Sequence, residues 1–282
     1  MFEKITVTEN TETKIDYKAV HKSSIIDLNK TYERPPLAIS IGFDSVAYNG
    51  HHYPLRFGTY GNISMIKGEE KARKTFFKSM LLSCAIGGRA SVFNNDIQGH
   101  NLKDKYIIDI DTEQDKYDNW LSATRIPKMV GAEYPLYKAV NLREYTSKEI
   151  RGYLEWLFTE SEYKDNLGIV SIDGFVDCVD DFNNQVECKD FTRDLMRYST
   201  ISKCHITGVL HLNPNSDKAR GHLGTILQQK CEMVTIVKDE GDYSSVTCQK
   251  VRGGKKFETF SFTVDNNWLP VKTDDVKVEN WR

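Results

Sequence analysis

Asn62-Ile63-Ser64-Met65-Ile66-Lys67-Gly68-Glu69-Glu70-Lys71-Ala72-Arg73-Lys74-Thr75-Phe76-Phe77 joins an apolar run to a second one through a short polar loop. Ile63, Met65 and Ile66 suit a buried strand, and Phe76, Phe77, Met80 and Leu81 suit the packed face of a helix. The loop reads Gly68-x-x-x-x-Arg73-Lys74-Thr75, one residue away from the phosphate-cradling pattern Gly-x-x-x-x-Gly-Lys-Ser/Thr. A polyphosphate needs converging backbone N–H groups at a helix N-terminus, one ammonium, and a hydroxyl for a Mg2+ shell. Lys74 and Thr75 supply the last two. Gly68, Lys71, Arg73, Lys74, Thr75 and Phe76 are therefore the expected nucleotide-binding set, with ATP and Mg2+ as ligands.

Arg73 stands where the pattern has glycine. A left-handed backbone there costs about 1–2 kcal/mol for a residue with a Cβ. A right-handed one would leave the guanidinium free to join the phosphates. Both readings are open from sequence.

The 282 residues suffice for one large α/β domain or a domain with a short appendage. The formal net charge of −2 restricts any nucleic-acid contact to a local patch. Apolar runs are too short to cross a bilayer, and Met1-Phe2-Glu3-Lys4 begins no signal-peptide apolar region. A cytoplasmic protein without a membrane partner is expected. Six cysteines form no Cys-x-x-Cys pair and are expected as buried thiols, not disulfides or zinc ligands. His51-His52 is expected in a turn, and no histidines have metal-ligand spacing.

Residues 1–36 are polar and end in Glu33-Arg34-Pro35-Pro36, which reads as an arm or linker with a short helix around Ser23–Leu28. From Leu37 strands and helices alternate. Expected strands are Leu37–Ile41, Asn62–Lys67, Tyr106–Ile110, Lys138–Leu142, Gly168–Ile172 and Ile206–Leu212. Expected helices are Lys74–Ala85, Lys116–Met129, Ser147–Glu160 and Asp190–Ser199, the third opened by the capping-box pattern Thr146-Ser-Lys-Glu149. The alternation implies an α/β fold with a mostly parallel central sheet covered by helices. Glu232–Val237, Ser244–Val251 and Phe257–Val264 read as antiparallel strands at the C-terminal end. The main domain is taken as residues 37–270, with a charged tail over 271–282.

Ligands of open α/β sheets sit beyond the carboxyl ends of the strands. Tyr106-Ile-Ile-Asp-Ile runs into Asp111-Thr112-Glu113-Gln114. Gly168-Ile-Val-Ser-Ile ends in Asp173-Gly174, the pattern called Walker B. Ile206-Thr-Gly-Val-Leu ends in His211. Phosphoryl transfer to water needs a held Mg2+, an oriented water and positive charge around the phosphate. Asp173 with Thr75 suits the Mg2+ shell, directly or through water. Glu113 suits the attacking water, with Asp111 its competitor, and His211 suits a γ-phosphate contact.

Two later segments carry cations. Lys218-Ala219-Arg220-Gly221 ends a polar loop and reads either as a surface turn or as a phosphate-contacting segment for a nucleic acid. Lys250 and Arg252 alternate on one face of a strand. That strand is either a solvated edge or a source of cations for a neighbouring subunit's nucleotide.

The segment Arg220-Gly-His-Leu-Gly-Thr-Ile-Leu-Gln-Gln-Lys, followed by Gln249-Lys250-Val251-Arg252-Gly-Gly, resembles a block of RecA-fold ATPases found in hexameric replicative helicases, the DnaB type and the smaller plasmid RepA type. The loop Gly-x-x-Lys-x-Arg-Lys-Thr-Phe and Asp111-Thr-Glu-Gln look closer to ATPases of phages and mobile elements. The resemblance spans about residues 37 to 265. It implies Lys74 and Thr75 on phosphates and Mg2+, Glu113 as base, Asp173 as the Walker B acid, His211 as γ-phosphate sensor, and Lys250 and Arg252 as fingers acting in trans. It also implies an N-terminal arm laid on an adjacent subunit, single-stranded DNA as partner, and a homo-oligomer, a hexameric ring before a filament. The expected function is a nucleic-acid-stimulated ATPase, a replicative-type DNA helicase. The alternatives are a single-strand-binding recombinase and a slow-hydrolysing regulatory protein.

Overall fold

The computed structural model describes residues 15–48, 50–212 and 219–273. The chain divides into two compact units, one reaching to Arg34 and one starting at Pro35. The first contains helix α1 (Tyr17–Ser24), whose N-cap Asp16 accepts from the backbone N–H of Lys18 and Ala19. The helix lies earlier than the Ser23–Leu28 expected, because Asp16 supplies the cap that begins it.

In the second unit, β1 (Leu37–Tyr48) and β2 (His51–Thr59) form a hairpin, and β4 (Ile97–Gly99) pairs with the other side of β1. This three-stranded antiparallel sheet corrects the expectation that Leu37–Ile41 begins the βα alternation. It also places His51 and His52 in a strand. Ala38, Ile39, Ile41, Leu55 and Phe57 are buried in one cluster with Phe77, Met80 and Leu81. The hairpin thus forms a second layer over helix α2 (Lys74–Ile86).

The main sheet is built from β3 (Ile63–Gly68), β5 (Tyr106–Asp111), β6 (Tyr137–Asn141), β7 (Leu167–Asp173), β8 (His205–His211), β9 (Met233–Asp239), β10 (Ser244–Val251), β11 (Phe260–Val264) and β12 (Pro270–Thr273). Its nine strands lie in the order β12-β11-β10-β9-β3-β8-β7-β5-β6. From β9 to β6 every pairing is parallel, and β10, β11 and β12 are antiparallel. The protein is an α/β fold with a mixed, mostly parallel sheet.

Alternate side chains serve opposite faces of this sheet, as period-two geometry requires. Ile66, Ile107 and Ile169 join the cluster with α2 and α3 (Lys116–Val130). Met65, Ile108, Ile110, Val170 and Ile172 join the cluster with α4 (Ser147–Thr159), α5 (Gln185–Ile201) and α6 (Gly221–Lys230). The strands are buried on both sides, which explains their continuous apolar runs. The capping box at Thr146 and Glu149 is formed as its sequence implied. All six cysteines are buried and unbridged.

Two boundaries differ from expectation. β12 reaches Thr273, so the supposed tail begins inside the sheet, and residues 274–282 lie outside those described. β10 is no edge strand, since β11 covers its first half through Ser244, Ser245 and Val246. Among the described residues no helix is long and apolar enough to cross a membrane.

Gly208 in β8 is required by packing: a Cβ there would collide with the Phe175 ring, which is fully buried. Gly208→Ala is expected to lower stability by about 1–3 kcal/mol, the usual range for overpacking. Urea denaturation checks this, with the wild-type slope retained.

Candidate nucleotide site

β3 ends at Gly68, where a Cβ would collide with the Val237 carbonyl of neighbouring β9. The chain then turns through Lys71 and Arg73, both with φ of 64°. Arg73, the N-cap of α2, has ψ of 31° and is left-handed. Of the two sequence readings, the strained backbone is the one adopted. Arg73 lines the cleft at this loop, and its guanidinium is held by protein partners. It extends to the β9–β10 turn and donates to Asp239 Oδ1 (2.9 Å), Gly241 O (2.8 Å), Ser244 Oγ (3.0 Å) and Tyr243 O (3.3 Å). A well-shielded hydrogen bond to a charged group contributes about 1.5–3 kcal/mol. Even discounted for the partial exposure of this cluster, four such bonds offset about 1–2 kcal/mol of backbone strain.

Lys74, at the first position of α2, is buried at 6% exposure. Its Nζ donates to Glu69 O (2.6 Å) and to His211 Nδ1 (3.2 Å). With Nδ1 accepting from an ammonium, the imidazole proton belongs on Nε2, which faces Glu113 Oε2 at 3.4 Å. Lys74, His211 and Glu113 thus form one polar chain across the ends of three elements. Burial pushes the Lys74 ammonium below its ordinary value, against Asp173, Glu113 and Glu70, which raise it. The hydrogen bond from His211 holds the Glu113 carboxyl below its ordinary value; burial opposes this, and the Lys74 charge reinforces it.

Thr75 Oγ1 donates to Asp173 Oδ2 (3.0 Å). The same oxygen lies 3.1 Å from Lys78 Nζ, which is also 3.0 Å from Asp109 Oδ1. The Lys78 side chain is 1% exposed. Burial alone would depress its ammonium, yet Asp109, Asp173 and Asp111 together hold it above its ordinary value. Sequence reading missed Lys78. The available signal was its spacing of four from Lys74, which stacks both on one helix face.

Asp111 is fully buried, and its Oδ1 accepts from the backbone N–H of Glu113 (3.0 Å) and Gln114 (2.7 Å). It shapes the turn that presents Glu113, and of the two acids Glu113 is the one that lines the cleft. Burial, the largest influence, raises the Asp111 carboxyl, with Lys78 opposing.

Lys74, Thr75, Glu113, Gln114, Asp173 and His211 line a cleft of about 360 Å³ together with Lys71, Arg73 and Phe76. Its other wall is α3, which contributes Asp118, Leu121, Ser122 and Arg125. The structure therefore brings together Lys71, Arg73, Lys74, Thr75, Phe76, Glu113, Asp173 and His211, with Gly68 closing the strand that leads into the loop. Among the described residues no group of three or more His, Cys, Asp or Glu side chains forms a protein cage for a metal. The donor set of Thr75 and Asp173 fits a Mg2+ that takes its remaining ligands from phosphate and water.

The later cations lie elsewhere. Arg220 is the N-cap of α6, with its guanidinium 4.9 Å from the Phe182 ring centroid. Gly221 has φ of 66° and begins the helix against Phe182. The segment expected as a nucleic-acid loop is thus partly helix, and Lys218 lies outside the described residues. Lys250 Nζ donates to Gln228 O (2.6 Å) and Gln229 O (3.0 Å), and Arg252 donates to Lys230 O. Both cap the C-terminal carbonyls of α6, where positive charge is favoured. They sit at the Met233 end of β9, whereas the cleft opens beyond Gly68 at the opposite end of β3.

The chain matches no protein-family model, and no curated protein matches it.

Lys78→Met is expected to destabilise the fold by about 3–5 kcal/mol, the cost of leaving buried carboxylates without their cation. The deficit should shrink between about pH 8 and about pH 5. With Lys78 gone, only the backbone N–H groups of Glu113 and Gln114 oppose the burial and the Asp173 charge that raise Asp111, and a carboxyl raised in the folded state gives stability at low pH that is lost as pH rises. Urea denaturation at both pH values reads this.

Proposed function

We propose that this chain is an oligomeric, nucleic-acid-stimulated ATPase with a RecA-like core, working as a replicative-type DNA helicase of a phage or mobile element. The observation that carries the reading is the meeting of Lys74, Thr75, Glu113, Asp173 and His211 in one cleft, delivered by the ends of β3, β5, β7 and β8. The central position of β3, with β8 and β9 parallel on either side, supports the RecA-like assignment. So do the antiparallel strands at the C-terminal end.

The chemistry follows from the groups present. The N-terminus of α2 and Lys74 bind the triphosphate. Bound Mg2+ would supply charge to the outer phosphates as they develop negative charge. Thr75 and Asp173 are the residues that would hold it. Glu113, kept ionised by His211, orients the attacking water and accepts its hydrogen bond. His211 touches both Lys74 and Glu113, so it links the occupant of the ammonium to the position of the base. Lys250 and Arg252 act on a neighbouring subunit's nucleotide in this reading, and a ring of copies is required for turnover.

Steady-state ATP hydrolysis, with and without single-stranded DNA, tests the proposal. DNA is expected to raise the rate. Glu113→Gln is expected to lower turnover by about 10²–10⁴-fold, the usual contribution of general-base catalysis, while nucleotide binding is retained. Turnover that ignores DNA, or that survives Glu113→Gln, contradicts it.

A further inference from the structure

We propose that Arg125 binds the α-phosphate of the nucleotide, an inference that rests on the nucleotide-binding reading of the cleft. Arg125 is on α3, which sequence analysis treated only as a covering helix. Its guanidinium carbon lies 3.8 Å from the centroid of the Phe76 ring, and both residues line the cleft that holds Lys74 and Thr75.

The guanidinium is poorly compensated by the protein. Among the described residues no carboxylate forms an ion pair with it. Its one polar contact among the described residues is Ser122 Oγ, at a long 3.4 Å. Burial pushes it below its ordinary value, and no charged neighbour contributes to that shift. A cation half removed from water without a counter-charge is costly unless an anion reaches it. A planar guanidinium laid on an aromatic face keeps its N–H edge directed outward, suited to two phosphate oxygens.

Its orientation is set, not accidental. Ser122 Oγ donates to Gln114 Oε1 (3.0 Å), and the Gln114 backbone N–H donates to Asp111 Oδ1 (2.7 Å). The turn that presents Glu113 therefore also positions Arg125. Position along the ligand follows from chain order. In a polyphosphate loop the lysine and the following hydroxyl address the outer phosphates, while backbone amides cradle the inner ones. Phe76 comes next after Thr75 in α2, so the guanidinium over its ring faces the inner end of the chain. That end is common to triphosphate and diphosphate.

Titration of Mg-ATP and Mg-ADP into the full-length wild type, Arg125→Gln and Arg125→Met separates the possibilities. Both variants are expected to bind ATP and ADP about 10- to 100-fold more weakly, by the same factor for each, as loss of a charge-assisted contact predicts. The thermal midpoint of the ligand-free protein is expected to stay at or above that of the wild type. Met retains the packing on Phe76, so recovery of wild-type affinity in Arg125→Met would overturn the proposal and leave a packing role. Unchanged affinity in both variants, a loss confined to ATP, or a lowered midpoint in both would overturn it too, while the nucleotide-binding reading stood. A wild type that binds neither nucleotide would remove that reading and this one together.

Discussion

One carboxylate oxygen, Asp173 Oδ2, receives both the Thr75 hydroxyl and the Lys78 ammonium. Through it the helix that follows the phosphate loop is fastened to the strand that carries the acid. Neither group can move without exposing a charge in a region where Lys78, Asp109, Asp111 and Asp173 are all nearly inaccessible to water. A buried ion pair of this kind adds little net stability over an apolar pair, yet breaking it is expensive. Its effect is positional: it fixes α2 against β7 to within a hydrogen-bond length. The loop, Glu113 and His211 are arranged around that joint.

The loop itself is held from outside. Two residues with side chains, Lys71 and Arg73, adopt positive φ where glycine would do so at no steric cost. Arg73 compensates by gripping the β9–β10 turn. The loop between β3 and α2 is therefore hydrogen-bonded to the antiparallel end of the sheet through Arg73. β10 leads from this turn to Lys250 and Arg252 at the other end of the strand.

Much of this was legible in the sequence. Apolar runs ending in Asp173 and His211 marked β7 and β8, and Thr146 with Glu149 marked the start of α4, because each rests on local spacing. The β1–β2 hairpin escaped although Asn49-Gly50 is a strong hairpin signal; the expected βα alternation obscured it. Helix α6 escaped because Gly221 and Gly224 lower helix propensity, while Leu223 and Leu227 bury its inner face. Arg73, Lys78 and Arg125 were out of reach for a different reason. Periodicity tells which face a residue occupies, but a long cation spans several ångströms beyond it. Its partner is set by tertiary placement of Asp239, Asp109 or Phe76, far away in the chain or on another helix.

The most direct test of the account is calorimetric titration of ATP into the wild-type protein and Lys74→Ala, each with and without Mg2+. The account predicts saturable binding in the wild type that strengthens with Mg2+, and a loss of at least about tenfold in Lys74→Ala, as removal of a charge-assisted phosphate contact requires. Absence of binding by the wild type, or equal affinity in Lys74→Ala, would contradict it.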